Sequence, residues 1–95
     1  MSGEAVALSL NIPETRAYLA TLRERLPMFT VTDHPKDWPD FYVARLALTV
    51  PELTLLPLAI MDPDLDRLRE TMAALGLVCL TRDPRDDPVV VETWL

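Results

Sequence analysis

The stretch Asp62-Pro63-Asp64-Leu65-Asp66-Arg67-Leu68-Arg69-Glu70-Thr71-Met72-Ala73-Ala74-Leu75-Gly76 decides the fold. Asp62 is placed to act as an N-cap, its carboxylate accepting from the free N–H groups of a first turn. Pro63 then takes the first helical position, where a missing donor costs nothing. Asp64 and Asp66 complement the positive end of the helix dipole. Leu65, Leu68, Met72 and Leu75 recur at spacings of three and four, which makes one apolar stripe. Gly76 supplies the left-handed residue that ends a helix and turns the chain back. The stripe needs a surface to cover it. Two apolar runs follow, 77–81 and 89–94, joined by Arg82-Asp83-Pro84-Arg85-Asp86-Asp87-Pro88. They read as a hairpin whose strands supply part of that surface.

Working towards the N-terminus, 57–61 reads as a strand that tolerates Pro57 at its start, and 51–56 as a turn. Residues 41–50 carry the longest strand pattern. One face holds Tyr42, Ala44, Leu46, Leu48 and Val50; the other holds Phe41, Val43, Arg45, Ala47 and Thr49. The second face is half polar, which predicts an antiparallel sheet wet on that side. Residues 33–40, rich in Asp and Pro, form a loop, and 28–32 a short strand with Phe29 and Val31 on one side. Asn11 with Glu14 makes a capping box for a helix that runs to about Leu26, buries Leu19, Leu22 and Leu26, and stops at Pro27. Residues 4–10 are either a first strand or a frayed terminus. The element order predicts an α+β domain spanning 1–95, with a mainly antiparallel sheet of four to five strands and two helices on one face. If 4–10 is a strand, the arrangement suggests a ferredoxin-like split β-α-β.

The C-terminal run has no polar tail, and Val89, Val90, Val91 and Thr93 are β-branched. That density marks a strand held in a sheet. It pairs either with 77–81 or, at an edge, with a second copy of the chain. Glu92 is expected to face outward with Trp94, as a guard against uncontrolled pairing.

Composition narrows the function classes. The chain has 95 residues, 49% of them hydrophobic and 25% charged, and a mean hydropathy of +0.13, the balance of one globular domain. No run approaches the roughly 18 apolar residues of a membrane span. No basic stretch precedes an apolar one near Met1, so no secretory signal is expected. Cys79 is the sole cysteine, which excludes an internal disulfide and points to a reducing cytoplasm. The net charge is −6, with 15 acids against nine bases. Most of the excess lies in residues 50–95. Such a surface repels phosphate backbones, so direct nucleic-acid binding is not expected.

The residues able to carry chemistry each have a plainer reading. Asp62, Asp64 and Asp66 alternate as in a calcium loop, but Arg67 and Ala73 stand where that loop needs Gly and Glu. Helix initiation explains the acids better than a metal. His34, the sole histidine, has only nearby aspartates as partners and reads as a loop residue. Cys79 lies between Val78 and Leu80, a setting for a packed thiol and not for a nucleophile. With two glycines in the chain, glycine-rich phosphate cradles are excluded. Trp38, in the proline-rich loop, either plugs the sheet or is offered to a partner.

These readings predict a small, acidic, non-enzymatic interaction module without a cofactor. Its candidate partner-binding residues are Asp62, Asp64, Asp66, Asp83, Asp86, Asp87 and Trp38. The partner is another protein, a basic one fitting the charge, or a second copy joined through an edge strand. One alternative is nucleic-acid mimicry, with spaced carboxylates occupying the groove of a DNA- or RNA-binding protein. Another is a small-molecule site in the 33–40 loop, built on His34, Asp37 and Trp38.

Overall fold

A computed structural model describes residues 6–7, 11–81, 85 and 88–95. The helix expected from the opening stretch is present as α2, Leu65–Ala74, but it starts later than the sequence suggests. Asp64, not Asp62, is its N-cap: the Asp64 carboxylate accepts from the backbone N–H of Asp66 at 2.9 Å and of Arg67 at 3.4 Å. Asp62 is held back as the last residue of a strand, and its carboxylate accepts from the N–H of Asp64 at 2.8 Å. Pro63 therefore lies in a side-chain-closed turn and not in the helix. The other end is as expected. Gly76 has φ +83°, Gly76 N–H donates to the Ala73 carbonyl, and Leu77 N–H donates to that of Met72. That pair of bonds is a Schellman closure.

The first helix, α1, spans Ile12–Thr21, with Asn11 Oδ1 accepting from Glu14 N–H at 3.0 Å. It ends sooner than predicted. A 3-10 turn, Arg23–Arg25, follows, and Leu26 adopts φ 46°. Pro27 disfavours the right-handed helical conformation in the residue before it, so the chain tightens and swings out. Leu26 leaves the apolar stripe and is 55% exposed, whereas Leu19 is buried and Leu22 half-buried.

Six strands complete the described structure: β1 Val6–Ala7, β2 Pro27–Asp33, β3 Tyr42–Leu48, β4 Thr54–Asp62, β5 Cys79–Thr81 and β6 Val90–Trp94. Their order in the sheet is β1-β4-β3-β2-β6-β5, antiparallel throughout except for β1 against β4. The α+β class holds. A ferredoxin-like order is not confirmed, because β1 pairs only with β4 at the far side of the sheet from β6. The remainder of the 4–10 run lies outside the described residues. The strand expected at 57–61 begins earlier, at Thr54, and absorbs the second half of the predicted turn. Its pairing with β3 shifts between Arg45 and Ala47, and the bulge there accommodates Pro57 within the strand.

Both helices cover one face. Leu19 from α1 and Leu68, Met72 and Leu75 from α2 pack with Phe29, Val31, Ala44, Leu46, Ile60 and Trp94. The opposite face departs from expectation. Val43 and Ala59 there are fully buried beneath Trp38, Phe41 and Met61, because the loop after β2 folds back across the sheet. A face that alternation presents as half polar is thus closed at its centre by a loop.

Candidate functional site

Two strands, β5 and β6, form the side of the sheet that pairs with nothing further among the described residues. β6 lies between β2 and β5 and is anchored from above. Its pairing with β2 shifts between Val31 and Thr32, where Val91 is the extra residue. Beyond that bulge Glu92 and Trp94 both point to the helix side. This corrects the expectation that Glu92 faces outward: Glu92 is 5% exposed and Trp94 7%. The Arg69 guanidinium of α2 reaches down to it, Nη2 donating to Glu92 Oε1 at 2.9 Å and Nε at 3.1 Å. Trp94 Nε1 donates to Glu92 Oε2 at 2.8 Å. The burial of the tryptophan drives this inward turn. A buried indole needs an acceptor for its N–H, and the residue two before it on the same face supplies one. Hydrogen bonding to Glu92 holds the Arg69 guanidinium even more firmly protonated than usual.

On this support β5 is the outermost strand. Val78 and Leu95 exchange backbone hydrogen bonds at 2.8 and 3.0 Å. Antiparallel pairing alternates, so the N–H and C=O groups of Cys79 and Thr81 point away from β6. Val78 and Leu80 are 66% and 45% exposed, on the side of the sheet away from the helices. Cys79 was expected to be packed and is instead exposed. Partial burial and then the Glu92 carboxylate push its thiol above the usual range, so it is a protonated, sluggish nucleophile at neutral pH.

The residues singled out from the sequence are dispersed. Asp62 accepts from Arg67 Nη2 at 2.9 Å as well as from its own turn. Asp64 is consumed by the cap. The side chain of Asp66 is 87% exposed and lies 3.8 Å from Arg69. Asp83, Asp86 and Asp87 lie outside the described residues. Trp38 packs over Val43 and Ala59, with the Arg45 guanidinium carbon 5.4 Å from its ring centre. Arg45 Nη2 also donates to both oxygens of Asp37 at 2.6 Å, and this hydrogen bonding lowers the Asp37 pKa below the ordinary carboxylate value. His34, with φ 46°, bonds to Asp33 and stacks edge-on against Tyr42 at 4.8 Å. The side chains of the 33–40 loop are thus largely occupied in holding the loop to the sheet.

Sequence reasoning missed the Arg69–Glu92–Trp94 cluster. One signal for it was present: a strand tryptophan with an acid two residues earlier, and an arginine flanking the apolar stripe of α2. No protein-family model, curated protein or solved structure matches this chain.

Proposed function

We propose that the protein is a non-enzymatic interaction module that joins another chain by accepting a strand on the free side of β5. The observation that carries this reading is the β5 edge itself. It offers backbone groups at Cys79 and Thr81 that have no partner among the described residues, flanked by the exposed apolar side chains of Val78 and Leu80. Exposed edges of this kind are templates for a further strand. The anchored β6 beneath keeps the edge in position, since Glu92 and Trp94 tie it to α2. The acids proposed from sequence contribute less, because Asp62 and Asp64 are already engaged by Arg67 and by the helix cap.

A second copy is the partner this reading takes first, because antiparallel self-pairing satisfies the same groups on both strands. Sedimentation across a range of concentrations tests it. Cys79→Pro removes a donor that faces away from β6, which an edge strand tolerates, and Leu80→Lys places a charge on the exposed side. Both variants are expected to shift the parent's self-association towards monomer while the melting curve stays close to that of the parent. A parent that is monomeric at every concentration refutes self-pairing. A dimer unaffected by either substitution refutes the use of β5.

A further inference from the structure

A groove of about 680 Å³ runs between α1 and the C-terminal end of α2. Its floor and walls include Leu19, Leu26, Leu75 and Leu77, and its rim carries Arg16 and Arg23. That volume falls within the roughly 300–1,000 Å³ of small-molecule sites, which are mostly apolar with a few placed polar groups. The charge pattern is the informative feature. The chain has 15 acids and nine bases, yet among the described residues no acidic side chain lines the groove and two arginines do. Neither guanidinium makes a hydrogen bond or ion pair with any described residue. By contrast, Arg25 donates to the Val50 carbonyl, and Arg45, Arg67 and Arg69 are held by carboxylates.

Local structure explains why the two cations stand together over apolar walls. Leu19, Ala20 and Arg23 stand three, four and seven residues after Arg16, so the four share the side of α1 and its 3-10 extension that faces the groove. Arg16 reaches across to the end of α2, where its Nη2 lies 3.9 Å from the place a Cβ on Gly76 would occupy. The early end of α1 matters too. Leu26, turned out of the helical stripe by its left-handed backbone, lines the groove instead of packing beneath α1.

We infer that this groove binds a single-chain carboxylate amphiphile, its tail against the leucines and its head against Arg16 and Arg23. A guanidinium fork meets a planar carboxylate with two parallel, charge-assisted bonds. The apolar walls exclude water from a linear chain, which contributes in proportion to the area covered. The inference is independent of the reading of β5, since none of its arms depends on strand pairing.

Titration with monomeric decanoate, followed by amide NMR and calorimetry, tests it. Shifts are expected at Leu19, Leu26, Leu75 and Leu77, with decan-1-ol and decyltrimethylammonium binding at least about tenfold more weakly, as the loss of a charge-assisted head contact requires. The double variant Arg16→Gln/Arg23→Gln is expected to weaken decanoate by a similar factor. Both side chains are exposed, so its fold should be retained. Ala20→Phe, which fills the groove from the exposed side of α1, is expected to abolish binding with unchanged circular dichroism. Equal affinity for the alcohol, undiminished affinity in either variant, or no shifts at all would overturn the inference.

Discussion

Removing the Glu92 carboxylate tests the reasoning most directly, because it joins α2 to β6 and supports the edge strand. In Glu92→Ala the Trp94 indole N–H, on a residue 7% exposed, loses its acceptor. An orphaned buried donor costs about 1–3 kcal/mol. Arg69 loses its charge-assisted bonds to Glu92, each worth about 1.5–3 kcal/mol when fully buried. Here the Arg69 side chain is 43% exposed, so water recovers much of that loss. The net expectation is about 2–4 kcal/mol, a large part of the roughly 5–15 kcal/mol that stabilises a domain. Urea unfolding reads it directly. With an m-value of about 2 kcal/mol/M, the midpoint should fall by about 1–2 M without a change in slope. Glu92→Gln keeps an acceptor for Trp94 and should lose less than half as much. A Glu92→Ala unfolding free energy within about 0.5 kcal/mol of the parent's would mean that Trp94 and Arg69 are solvated in the native state, refuting the anchored strand.

Three further outcomes are expected. Leu68, 1% exposed at the centre of the α2 stripe, should abolish cooperative unfolding when replaced by Asp, because a buried unpaired charge costs several kcal/mol; a normal melt would place the stripe in water. Gly76→Ala should cost about 1–2 kcal/mol from the backbone alone, since φ is +83° and the nearest atom to the added Cβ is an ordinary 3.9 Å away; Gly76→Asn should cost less, and equal melting temperatures for all three would contradict the left-handed cap. Asp37 has its pKa lowered by Arg45, so the stability from that pair is fully present above the ordinary value of 3.8 and is lost as pH falls through the lowered one. The stability gap between parent and Asp37→Asn, measured by urea unfolding, should therefore be level near neutrality and close in strong acid; a gap unchanged by acid would refute the pairing.

The proposed edge and the groove were legible from the sequence to different degrees. Residues 77–81 were readable as a strand, but the edge open to a second copy was expected, as an alternative, at the C-terminal run, which instead lies between β2 and β5. Nothing local announced the groove. Its arginines belong to α1 and the 3-10 turn after it, while its opposite wall comes from the end of α2 and Leu95. The swing of Leu26 that opens it follows from Pro27, yet the sequence pattern alone placed Leu26 in the buried stripe.

The sequence by itself determined most of the features that close within a turn of chain, though not which aspartate caps α2. Asn11 caps α1 through a residue three away, Gly76 ends α2 with its own N–H on Ala73 and that of Leu77 on Met72, and alternation placed Phe29 and Val31 on one face. Only the tertiary structure decided which of two faces was inside. Glu92 and Trp94 share a face whichever way the strand is turned, and alternation is silent about its direction. The burial of Trp94 in the core beneath the helices settled it, and Arg69, 23 residues before Glu92, brings a cation over the carboxylate that comes with it. The second face of β3 was closed in the same way, by Trp38 of a loop that Asp37 and Arg45 pin down. Burial depends on what packs above a residue, and those neighbours are distant in sequence.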